Sequence, residues 1–182
     1  MHKRHIPFSM KTLEDIGTFS GYASVYNLVD AQEEWVAPGA FDISLSAPSR
    51  AKPKLLWQHD PKEPIGEWTS ITTDDRGLFV TGQLFLEVQR AKEAHIFLKS
   101  GVVDGLSIGY IPLKVTNTPQ GRRLDSISLE EISLVTFPSN PEARVHAVKQ
   151  REEGGLDSEG MRLHQEIQFL SAFVRGNYKG EI

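Results

Sequence analysis

A serine flanked by glycines lies in Asp104-Gly105-Leu106-Ser107-Ile108-Gly109-Tyr110, and Ile111-Pro112-Leu113-Lys114-Val115 after it keeps the two-residue rhythm of a strand. Pro112 has no amide hydrogen and opposes a helix there. The spacing Gly105-x-Ser107-x-Gly109 matches the nucleophile elbow of α/β-hydrolases, which needs a strand, a sharp turn and then a helix, with the histidine after the serine. Here strand follows the serine, and the principal histidine, His59, precedes it. That fold is excluded, and the glycines are read instead as backbone that a substrate can approach closely.

The remaining periodicity is mostly that of strands. Residues 18–27 interleave Phe19, Tyr22, Val25 and Tyr26 with small residues, predicting a strand with a close backbone approach at Gly21. Trp35-Val36-Ala37 is extended into a Pro38-Gly39 turn, and residues 40–45 fit one helical turn. Residues 55–60 alternate so that Leu55, Trp57 and His59 share a face, with His59 at the strand end and Pro61 stopping it. Asp75-Arg76-Gly77 is a hairpin-type turn, and the next strand, apolar on both faces, is predicted to be central.

One segment changes period. Residues 88–100 put Val88, Ala91, His95 and Leu98 on a helical stripe that Gly101 ends, with His95 as an interior histidine rather than a ligand. A strand follows over about 123–137, where simple alternation puts Glu131 in the more apolar row with Ile127, Leu129, Ser133, Val135 and Phe137. Glu130 is its exposed neighbour. A carboxylate in such a row needs a partner, and an imidazole N–H suits it. Residues 143–149 form a last short strand.

With 182 residues and 39% hydrophobic content, the chain supports one buried core, assigned to residues 1–150. Arg151-Glu152-Glu153-Gly154-Gly155 then has linker composition, and residues 161–174 carry apolar groups at helical spacing, so 151–182 is expected to be a linker and amphipathic helix that docks on its own domain or on a partner. The absence of cysteine removes disulfides and thiolate metal sites, and a net charge of -4 argues against nucleic acid as a partner. No apolar run approaches the length of a membrane span, and no signal-like core follows the N-terminus.

Ser107, His59 and Glu131 together supply the hydroxyl, imidazole and carboxylate that nucleophile, base and orienting group require. Such a relay needs no metal or organic cofactor. Backbone N–H groups in the loop Asn140 to Arg144 are the expected oxyanion donors.

The chain resembles the prohead (capsid maturation) serine proteases of tailed phages, related in fold to the herpesvirus assemblins. The matching segments, in order, are Gly21 to Tyr26, Val36 to Phe41, Leu55 to Asp60, Pro64-Ile65-Gly66, Gly105 to Tyr110 and Glu131 to Pro141. The resemblance implies an α+β, mainly β fold: an antiparallel β-barrel flanked by helices. It carries the catalytic histidine onto His59 and the nucleophile onto Ser107, while Glu131 stands where the herpesvirus relatives use a second histidine. It also implies that the capsid protein precursor or a scaffold protein, and the protease itself, are the substrates. The setting it implies is the assembling procapsid in the host cytoplasm, with a homodimer or other self-association contributing to activation. Two other classes share these residues: an inactive assembly or scaffold module with the same fold, and a small-molecule esterase.

Overall fold

In the computed structural model, which describes residues 15–46 and 52–150, the aromatic and β-branched runs form eight strands of one sheet. They are β1 (Asp15–Val25), β2 (Glu34–Val36), β3 (Lys54–Trp57), β4 (Asp60–Thr73), β5 (Gly77–Leu84), β6 (Gly105–Thr118), β7 (Gly121–Val135) and β8 (Val145–Gln150). Two helices accompany them, the single turn α1 (Asp42–Ser46) and α2 (Gln89–Ser100). The linker and helix expected over 151–182 lie outside the described residues.

The sheet is mixed, which corrects the expected antiparallel barrel. β6 and β7 make a long hairpin that occupies one edge of β7 from Gly121 to Val135. The other edge is shared end to end by β2 against Arg122–Leu124 and β3 against Glu131–Leu134, both parallel to β7. From β3 the order continues antiparallel through β4, β5, β1 and β8, so the predicted central place of β5 holds. The sheet curls until its two ends meet: Gly105 bridges to Arg144, Leu106 N–H donates to Ala143 O at 2.9 Å, and Val145 N–H donates to Asp104 O at 2.7 Å.

Gly21 permits this closure. A Cβ there would lie 2.1 Å from the Arg144 carbonyl oxygen, which accepts the Tyr22 N–H at 3.1 Å, so the close approach expected from the sequence is real.

Inside the curl, Phe19, Trp68, Phe41, Leu55, Ile65, Leu78, Leu84, Ile132 and Leu134 are fully buried. Each such side chain contributes about 1.5–3 kcal/mol through lost contact with water. Phe19 and Trp68 meet edge to face at 5.6 Å. α2 buries Ala91, Ala94, His95 and Leu98 and ends at Gly101, whose φ of 72° is left-handed, as its sequence anticipates.

β7 departs from simple alternation. Between Gly109↔Glu131 and Tyr110↔Leu129 the ladder skips Glu130, a bulge that gives β7 one extra residue. Before the bulge, Ile127 and Leu129 face the core; after it, Ile132 and Leu134 do. Glu131 is therefore not in the apolar row. It shares the opposite face with Ser133, and Glu130 is exposed as expected. β7 also ends at Val135, leaving Phe137 outside the ladder and exposed.

Candidate active site

His59 does not end a strand. Trp57 pairs with Asp60, and the two residues between them, Gln58 at φ 53° and His59 at φ 61°, make a two-residue hairpin turn with both φ values positive. Pro61 does not stop the chain, because β4 begins at Asp60 and runs through it. β5 pairs with β4 only from Gly66 onward, so Pro61 and Pro64 lie where one edge of β4 carries no ladder and a missing N–H costs little.

Left-handed backbone costs a side-chain-bearing residue about 1–2 kcal/mol; histidine is found there more often than most, but Gln58 has no such preference. Bonds to β7 offset the cost. Gln58 donates its N–H to Leu134 O at 2.9 Å and its amide nitrogen to Thr136 Oγ1 at 2.8 Å, while Thr136 N–H donates to Gln58 Oε1 at 3.3 Å. His59 N–H donates to Ser133 Oγ at 3.1 Å. The turn is thereby clamped over the end of β7.

This clamp brings the ring to Glu131. His59 Nδ1 and Glu131 Oε1 are 2.5 Å apart, and the other carboxylate oxygen accepts the Ser133 hydroxyl at 2.7 Å. With Nδ1–H donating to the carboxylate, a neutral ring leaves Nε2 as a proton acceptor. The His59 side chain is 43% exposed and that of Glu131 only 14%, so the ring reaches solvent while the carboxylate lies beneath it.

Ser107 enters from β6. It stands directly opposite Ser133 across the β6–β7 ladder, and Gly109 stands opposite Glu131. Directly paired residues share a face with Cβ atoms about 4.5–5.5 Å apart, so Ser107, Ser133 and Glu131 form one polar patch. Leu106, buried, takes the other face with Leu134. Ser107 and His59 line the same cleft of about 380 Å³.

Elsewhere the cleft is lined by residues of the β1–β2 connection, of β2 and of the far part of the β6–β7 hairpin, including Asp30, Trp35, Tyr110 and Arg122. Buried Glu34 accepts hydrogen bonds from both the Tyr110 hydroxyl and the Arg122 guanidinium. Burial, and then the bond to Glu34, raise the Tyr110 phenol far above its ordinary range, so this end of the cleft keeps a neutral phenol beside a paired carboxylate. Of the expected oxyanion loop, Asn140 lines the cleft; Glu142 and Ala143 direct their N–H groups to Asn140 Oδ1 and Asn140 O.

The geometry thus brings His59 and Glu131 into contact and sets Ser107 on the wall they share. Three contributors escaped the sequence reading: Ser133, Gln58 and Gly109. For Ser133 a signal existed, since it follows Glu131 at the two-residue strand spacing. Gly109 was visible only as a flank of the serine.

The family model described as Caudovirus prohead serine protease matches residues 6–157. The prohead protease of Enterobacteria phage HK97 is 34% identical over 181 residues, covering 91% of this chain and 80% of that protein. A capsid polyprotein of Pseudomonas phage PAJU2 is 34% identical over 128 residues, covering 66% of this chain and 18% of its own length. Among solved structures, KSHV protease bound to a hexapeptide phosphonate inhibitor superposes with a TM-score of 0.50 at 15% identity, covering 83% of this chain and 75% of that one. At that identity the likeness is one of fold.

Proposed function

Because the chain belongs to the caudovirus prohead serine protease family, we propose that it is a serine endopeptidase of phage capsid maturation, with Ser107 as nucleophile, His59 as general base and Glu131 as the group that orients the base. The observation that carries this reading is the 2.5 Å contact of His59 Nδ1 with Glu131 beside a serine lining the same cleft. Ser107 Oγ adds to the peptide carbonyl as its proton passes to His59 Nε2. The tetrahedral adduct collapses as the C–N bond breaks and that proton goes to the leaving amine. Water, deprotonated by the same ring, then releases the acyl group from Ser107. Glu131 holds the ring in its tautomer and balances the positive charge it carries in between. Backbone N–H groups at the cleft bind the oxyanion; in the loop from Asn140 to Arg144 those of Glu142 and Ala143 are already bonded to Asn140 and Pro141 has none, which leaves Asn140 and Arg144 as the candidates.

The substrates are the capsid protein precursor or a scaffold protein, and the chain itself, cleaved inside the assembling procapsid by a self-associated form of the enzyme. Support comes from the relatives: one is named a prohead protease, and another is a capsid polyprotein that includes a matching segment. Co-expression with the capsid precursor, followed by mass mapping of fragments, tests this. Wild type yields defined fragments and Ser107→Ala leaves the precursor intact. Equal processing by both removes the proposal.

A further inference from the structure

The Ser133 hydroxyl takes no part in the proton relay, yet it touches both groups that fix the ring. It is completely buried, accepts the His59 backbone N–H at 3.1 Å and donates to Glu131 Oε2 at 2.7 Å. A hydroxyl has one hydrogen to give and lone pairs to receive, so a single short side chain serves both neighbours. We infer that Ser133 is a positioning residue that ties the backbone of the base to the carboxylate of its orienting partner, so that His59 and Glu131 sit against β7 as one unit.

Two freedoms would otherwise loosen the site. His59 sits at a φ of 61°, from which an untethered residue relaxes readily. The outer bonds of the turn belong to Gln58, which leaves the Ser133 bond to hold the His59 amide itself. The second freedom is rotation of the Glu131 carboxylate about its terminal torsion, which is broad and soft. With Oε2 tied to Ser133, Oε1 is directed at Nδ1. Ser133 also faces Ser107 across the ladder, but its bonds go to His59 and Glu131.

The inference rests on the relay proposed above. The test uses the full chain and an alkyl fluorophosphonate, measuring saturating inactivation rate kinact and half-saturation KI. Ser133→Ala should lower kinact about 10- to 100-fold, the scale for misplaced reacting groups, with KI nearly unchanged. Ser133→Thr, which keeps the hydroxyl, should recover most of the rate, whereas the equally shaped Ser133→Val should not. The double variant Ser133→Ala/Glu131→Gln should lose less than the product of the two single losses, because part of the effect of Ser133 runs through that carboxylate.

Wild-type kinact in Ser133→Ala, or losses that multiply in the double variant, would overturn the inference. So would unfolding of every hydroxyl-free variant while Ser133→Thr folds, since the role would then be structural. Failure of the wild type to be labelled at Ser107 would instead remove the function proposed above.

Discussion

Gly109 stands directly opposite Glu131 across the β6–β7 ladder, and a Cβ on it would come within 2.1 Å of the carboxylate oxygen that bonds His59. The glycine is therefore space reserved for the acid. In the sequence Gly109 is the second flank of a serine that a substrate must approach. Its measurable role is one strand over.

That contact makes Gly109→Ala a sharp probe. The added methyl must displace the Glu131 carboxylate, because the glycine is held in a ladder and cannot retreat. Cleavage is expected to fall about 100-fold, with the far-UV circular dichroism of the sheet retained. Undiminished cleavage would mean that Glu131 need not lie against His59.

Neighbouring carboxylates should behave oppositely. Glu131→Gln keeps the shape and loses the charge beneath the ring, so turnover should drop about 100- to 10,000-fold. Glu130→Gln alters an exposed bulge residue and should stay within about twofold of wild type, since surface changes are usually slight. Fragment yield from the capsid precursor under identical loading separates the two. Equal effects would contradict the assignment.

Acid sensitivity should have a defined contributor. The Tyr22 hydroxyl donates to Asp74 at 2.6 Å, and the Gly77 and Arg76 N–H groups add further bonds at the β4–β5 turn; these hold the Asp74 carboxyl below its ordinary range. A depressed folded-state value contributes stability that is present above the unfolded carboxylate value of about 3.9 and is lost as pH falls through the folded one. Between about pH 6 and pH 3 the melting temperature of Asp74→Asn should therefore decline less than that of wild type. Parallel curves would show that the group makes no linked contribution.

Local chemistry was legible in the sequence wherever local rules decide the outcome. The helical stripe ending at Gly101, the turn at Asp75-Arg76-Gly77 and the close approach at Gly21 all formed as their residues require. The family resemblance is likewise borne out by the match over residues 6–157. Long-range choices were not legible. Whether β3 lies parallel or antiparallel to β7 depends on which edge the β6–β7 hairpin leaves open, and no periodicity encodes that.

The bulge at Glu130 inserted one residue without any compositional mark and reversed every face assignment after it, which moved Glu131 from the apolar row to the polar one. Gln58-His59 lacks the Asn-Gly signature of its turn because bonds to Leu134, Ser133 and Thr136 hold the turn in place of intrinsic preference. The expectation that Glu131 needs an imidazole partner nevertheless held. It held because a carboxylate largely withdrawn from water must be paired on either face.

The relay itself is tested most directly by finding where an alkyl fluorophosphonate attaches. Peptide mapping by mass spectrometry after treatment of the full chain should locate one adduct on Ser107, with the adduct lost in His59→Ala and strongly slowed in Glu131→Gln. An adduct on another residue, or labelling of Ser107 that is indifferent to His59, would contradict the account.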